Sequence, residues 1–194
     1  MRVRMTTVYR DWINGLRDHV ARARIQVRVD RLVHGNPGLH RALREGVSEL
    51  KIDIGPGYRV YFTEPHPNSP LIRKPMPRAT TTTTKSKRSP SKAPRRGAGH
   101  THTVVYDVSK QLRTPKEMAA YLEAWLVEAP DDAAGISRAL GDIARAVGMS
   151  KVAKQSGLSR ESLYKALSED GNPSLDTILR VARAVGVRFH ASAA

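Results

Sequence analysis

"MSKVAKQSGLSRESLYKALS", residues 149–168, decides how the chain is read. Ser150 can cap a helix of about two turns, Gly157 can take the left-handed backbone a tight turn demands, and Ser159 can cap the helix that follows. Ala153 stands four positions before Gly157 and Leu163 six after it. A helix-turn-helix needs this arrangement: a small residue where two helices cross closely, a glycine in the turn, and a branched apolar residue anchoring the second helix. Leu158 and Leu167 extend the buried side. The polar side of the second helix presents Ser159, Arg160, Glu161, Ser162, Tyr164 and Lys165. In the docking mode of such motifs these side chains face base edges and phosphates, and Lys151 and Lys154 lie where the first helix crosses the backbone. Arg160 can fork onto a guanine or hold a phosphate, and Ser159 and Ser162 can bond phosphate oxygens. A plain helical hairpin with a solvated polar face has the same spacing.

Helices flank the motif on both sides. "TPKEMAAYLEAWLVEA" opens with Thr114 as N-cap, Pro115 at the first helical position and Glu117 placed to complete a capping box. Met118, Tyr121, Leu122, Trp125 and Leu126 then recur on one face. "DDAAGISRALGDIARAVG" repeats the spacing with Ile136, Ala139, Leu140, Ile143, Ala144 and Val147, and Gly148 ends it. In "PSLDTILRVARAVG" the buried face is expected to be Leu175, Ile178, Leu179 and Ala182. The C-terminal part therefore reads as all-α.

Upstream the chemistry changes. The net charge of +15 is uneven: residues 1–62 carry +6, residues 63–103 carry +8 and residues 104–194 only +1. A basic balance of this size favours polyanionic partners, chiefly nucleic acid, although a solvated basic surface gives the same count. Residues 64–103 are rich in Pro, Ser, Thr, Arg and Lys and poor in large apolar side chains, so a disordered linker is expected there. His100 and His102 lie at its end, and two lone histidines make a poor metal site. No cofactor or metal is expected. With no cysteine there is neither a disulfide framework nor a thiol nucleophile. No run of about 18 apolar residues suits a membrane span, and "MRVRMTTVYRDW" lacks the apolar centre of a signal peptide, so the expected address is the cytoplasm with no membrane partner.

Residues 1–63 form the first unit. Trp12, Ile13, Leu16 and Val20 fit one face of a helix, and Ile25, Val29, Leu32 and Val33 a second ending near Gly35. Leu50, Ile52 and Ile54 then alternate, "GPG" turns, and Tyr58, Val60 and Phe62 alternate again, the pattern of a hairpin with one buried face. Two helices on one hairpin leave a small core and an unpaired sheet edge. The expected architecture is thus an α+β N-terminal fragment over 1–63, a linker over 64–103 and an all-α helix-turn-helix domain over 104–194.

Residues 104–191, with the run "GLSRESLYKALS", closely resemble the addiction-module antidote proteins, HigA-like antitoxins of type II toxin-antitoxin systems. The resemblance implies a homodimeric helix-turn-helix regulator that binds operator DNA, represses its own operon and covers a cognate toxin. "WINGLRDHVARARIQVRVDRLVHGNPGLHRALREGVSELKIDIGPGYRVYF" resembles RelE/ParE-superfamily toxins of the HigB, or addiction module killer, branch. That resemblance implies cleavage of mRNA at the ribosome, with Arg59 in "YRVYF" at a basic strand position that holds RNA phosphate. Lys51 and Arg44 are weaker candidates, and His34 and His40, flanking "GNPG", are expected in solvent. The family's last strand, its glycine-lysine-rich stretch and its closing helix do not follow Glu64, so the toxin-like sheet is expected to be incomplete. Three readings stay open: an antitoxin-type autoregulator fused to a degenerate toxin, a ribonuclease neutralised by its tethered antitoxin, and an interaction role alone, in which the N-terminal remnant docks onto the antitoxin or onto a relative's toxin.

Overall fold

Asp18 divides residues 7–33 into two helices. In the computed structural model, which describes residues 3–63, 71–73, 102–168 and 171–190, the Asp18 carboxylate accepts from the backbone N–H groups of Val20 and Ala21 and caps α2 (His19–Val33). Helix α1 (Thr7–Gly15) starts at Thr6, whose hydroxyl accepts from the Tyr9 N–H. Val20, expected on the first helix, therefore opens the second and is exposed. The reason is local: the chain breaks at Leu16, and the Asp18 carboxylate satisfies two of the donors that the new helix start leaves without an intrahelical partner.

The hairpin forms as its alternation dictates. Strands β3 (Val47–Ile52) and β4 (Tyr58–Thr63) pair antiparallel with Leu50 opposite Val60 and Ile52 opposite Tyr58. The turn needs Gly55 and Gly57 at positive φ. Leu50, Ile52, Val60 and Phe62 are buried beneath α1 and α2 with Tyr9, Ile13, Ile25, Val29 and Leu32.

The sheet is larger than expected. Three-residue strands β1 (Arg4–Thr6), β2 (His40–Ala42), β5 (Leu71–Arg73) and β6 (Thr103–Val105) join the hairpin in the order β2-β3-β4-β5-β1-β6. The expectation of an incomplete sheet ending at Phe62 is corrected here. Strand β5, inside the stretch expected to be linker, pairs antiparallel with β4 and parallel with β1. An open edge of β4 would leave a row of backbone donors and acceptors unpaired, and β5 covers it. Strand β6 then closes the far side, antiparallel to β1, with Arg4 opposite Val105 and Thr6 opposite Thr103. Thr103, the last residue of the expected linker, starts β6, so the region expected to be all-α opens with a strand; residues 64–70 and 74–101 lie outside the described residues.

A 3₁₀ turn (Val108–Gln111) leads into α3 (Pro115–Glu128), α4 (Ala133–Val147), α5 (Met149–Ser156), α6 (Arg160–Ala166) and α7 (Leu175–Ala184). Both halves of the Thr114–Glu117 capping box form, and Gly148 ends α4. Ser150 does not cap α5, because the helix begins one residue earlier with Gly148 at the cap. Tyr121, Leu122, Trp125, Leu140, Ile143, Val152, Leu163 and Val181 pack into one core. Of the face expected on α7, Ala182 is buried and Ile178 partly so; Val181 and, at the helix end, Val185 go inward instead of Leu175 and Leu179, which are exposed. Their spacing is shared by residues one turn apart on the rim of the face, and only packing against α4 and α5 selects the centre.

Gly157 has φ +69 and open space where a Cβ would stand. Gly157→Ala is expected to destabilise the chain by about 1 to 2 kcal/mol through backbone strain alone, measured by urea unfolding.

Candidate functional site

Residues 149–168 form two short helices around a left-handed glycine. The N–H groups of Gly157 and Leu158 both reach the Ala153 carbonyl, which ends α5 and reverses the chain. Ser159 then caps α6: its hydroxyl accepts from the Ser162 N–H at 3.0 Å and donates to the Ser162 hydroxyl at 2.8 Å. Val152, Ala153 and Leu163 are buried between the helices, and Lys151, Lys154, Ser159, Arg160, Glu161, Ser162, Tyr164 and Lys165 are all exposed. The Arg160 guanidinium lies 5.6 Å from the Tyr164 ring centroid, close enough for a cation–π contact that holds the arginine along the helix. Gln155, in the last turn of α5, is exposed beside Lys154 and was not singled out by the sequence. Its signal was the polar pair before the glycine.

The basic residues of the N-terminal unit are not gathered in the same way. Arg59 on β4 makes an ion pair with Glu49 on β3 at 2.9 Å, both side chains largely covered. Burial and the Glu49 carboxylate, in that order, push the neighbouring Tyr61 hydroxyl up. Lys51 pairs with Asp53 at 2.7 Å, and Arg44 is exposed in the turn after β2. His40 is exposed, as expected, but His34 is half-buried, its Nδ1 2.8 Å from the Asp30 carbonyl oxygen. His102 is exposed and His100 lies outside the described residues. Among the described residues no cluster of three His, Asp or Glu could hold a metal ion, and no helix is long and apolar enough to cross a membrane.

The sequence missed the seam between the two halves. Helix α2 packs on the sheet with Ile25, Val29 and Leu32 and on the C-terminal helices with Ala23 and Val27. Arg22, 2% exposed, meets Glu117 at 2.6 Å and also donates to the Gln111 carbonyl. Gln26 donates to the Gln111 side chain at 3.0 Å. Burial lowers the Arg22 pKa and the Glu117 carboxylate opposes it. For Glu117 burial acts upward, but the Arg113 and Thr114 N–H groups and the Arg22 and Arg113 guanidiniums outweigh it, leaving the carboxyl below its usual range. The exposed rim adds Arg24–Glu128 at 3.3 Å and Arg113 to the Asn14 carbonyl at 3.2 Å. Polar residues at α2 positions that should be buried were the available signal.

Beside this seam a cavity of about 280 Å³ is lined by Asp30, His34, Tyr106, Asp107, Arg138 and Asp142 among others. Tyr121 donates to the Asp142 carboxylate at 3.3 Å and Arg145 pairs with it from the next turn. Burial and then the charge of Asp30 raise the Asp142 pKa to about 7. The carboxyl is thus protonated in the fold at pH values where the unfolded chain has already lost its proton. Stability from this group is present in acid and lost as pH rises through about 7. Asp142→Asn is expected to flatten the fall in urea stability between about pH 4 and about pH 7; an unchanged slope would place its source elsewhere.

After β6 the C-terminal region is helical, and its two short helices α5 and α6 present an exposed polar face. Residues 102–193 match the model of a family described as "Probable addiction module antidote protein", and this region of the chain belongs to that antitoxin family. An uncharacterized protein of Haemophilus influenzae is 45% identical over 84 residues, which are 43% of this chain and 84% of the relative. A second uncharacterized protein of the same organism is 38% identical over 62 residues, and there the chain spans 63% of the relative's length and 32% of its own. No solved structure matches the chain at a significant level.

Proposed function

We propose that the chain is a cytoplasmic, DNA-binding antitoxin-type autoregulator that carries a degenerate, inactive RelE/HigB-like toxin unit fused at its N-terminus. The observation that carries the DNA reading is the exposed row of Lys151, Lys154, Ser159, Arg160, Ser162, Tyr164 and Lys165 around the Gly157 turn, in a region of an antidote family. Helix α6 acts as the recognition helix, with Arg160 on a base edge or phosphate and Glu161 limiting which bases are accepted. Lys151 and Lys154 hold phosphates from α5. The near-neutral charge of residues 104–194 favours binding as a homodimer on a palindromic operator, where two weak half-sites add.

For the N-terminal unit, a side chain that grips RNA phosphate has to be free to do so. Arg59 is ion-paired to Glu49 and only 23% exposed, which supports an inactive unit over a neutralised ribonuclease acting on mRNA at the ribosome.

The test is a salt-series gel shift of the full chain on DNA from its own upstream region, with an unrelated duplex as competitor. Arg160→Ala is expected to cost about 1 to 3 kcal/mol of specific binding, and Lys165→Ala to weaken all duplexes evenly while lowering the salt slope by about 1. Equal retention of both duplexes by the unmodified chain would overturn the reading.

A further inference from the structure

We infer that residues 102–128 are a two-point clamp that closes the antidote region on the N-terminal unit of its own chain and holds it there without help from the covalent link between them. The inference rests on the antidote family match and stands apart from the reading of DNA.

The first point is a donated strand. The family match begins at residue 102, so β6 belongs to the antidote region, yet its pairing partner is β1 of the N-terminal sheet. The Thr7 N–H donates to the His102 carbonyl at 3.1 Å and the Tyr106 N–H to the Val3 carbonyl at 3.0 Å, which extends the ladder at both ends. Arg4 reinforces it by donating to the Thr103 hydroxyl at 2.8 Å. Strand addition to an open edge supplies affinity through the main chain, whatever the side chains.

The second point supplies specificity. Helix α2 offers Arg22 and Gln26, one turn apart, and the antidote region meets both, with Glu117 for the guanidinium and Gln111 for guanidinium and amide alike. A fully covered arginine has to find a carboxylate there, and a helix without a cation at that position would leave the buried Glu117 with only the more distant, half-exposed Arg113 guanidinium at 3.5 Å to offset its charge. Glu117 cannot turn aside, because its other oxygen accepts from Arg113 N–H at 2.7 Å and Thr114 N–H at 3.1 Å to start α3. The stretch from Gln111 in the 3₁₀ turn to Glu117 in α3 is thereby built to take a helix with an Arg-x-x-x-Gln step, and this chain supplies one itself.

The experiment starts from the full chain, with a protease site introduced between residues 74 and 101. After cutting, the halves of the unmodified chain are expected to co-elute at micromolar concentration and to dissociate only on dilution or in denaturant. Arg22→Glu is expected to weaken their association by about 30-fold or more. Arg24→Glu, at the half-exposed rim, should change it by less than about 5-fold. Should Arg22→Glu fail to fold, Val104→Pro attacks the strand point independently and is expected to release the halves as well, because proline cannot donate to the ladder. Separation of the unmodified halves on cutting, or association as tight in Arg22→Glu and Val104→Pro as in the unmodified chain, would overturn the clamp. Operator binding by the uncut chain is a separate readout, so the clamp and the DNA reading can each fail alone.

Discussion

A guanidinium cannot be buried without an anion, and that requirement at Arg22 organises the seam between the two halves of the chain. Taking a charge out of water costs several kcal/mol, which only a close, well-bonded partner offsets. Glu117 is that partner, and it is held in place by the helix start it caps. Removing it would leave a charge stranded in the middle of the molecule and unravel the first turn of α3 together. Electrostatics, capping and the packing of α2 against α3 are thus one constraint with three expressions.

Helix α2 is the element that makes the constraint necessary. Its sequence "ARARIQVRVD" alternates apolar and polar residues as a strand would, yet it is helical. At 3.6 residues per turn, residues two apart stand about 200° round the axis, so alternation paints two opposite apolar stripes. Ile25 and Val29 fall on the stripe toward the sheet, and Ala23 and Val27 on the stripe toward the C-terminal helices. A helix on the surface has no use for a second stripe. The pattern marks an element covered on both sides, and Arg22 and Gln26 mark the edge where the second cover arrives.

Much of this was legible from the residues alone, and the remainder fails for identifiable reasons. The capping box at Thr114, the left-handed Gly157, the Ser159 cap and the hairpin that alternates from Leu50 to Phe62 were all readable because each depends on a few neighbouring residues. Strands β1, β2, β5 and β6 were not, since three residues are too few to show a period and their pairing is set by partners far away in the chain. Leu175 and Leu179 misled because apolar character at the edge of a helical face does not say which residues lie at its centre. At the candidate DNA surface the polar residues of α6 could be listed in advance, whereas the ion pair that occupies Arg59 depends on strand register with Glu49, invisible in a local window.

The donated strand also gives the fold an order in time. Residues 1–63 leave the ribosome before residues 102–128, so for that interval β1 has no neighbour on its outer side and the Ala23–Val27 stripe of α2 has no cover. At about 5 to 20 residues per second the interval lasts seconds, long compared with the collapse of a small domain. A message truncated before the antidote region would therefore yield a product with an open sheet edge and an exposed apolar stripe, the two features that quality-control proteases and aggregation both act on. Synthesis of the second half completes the first.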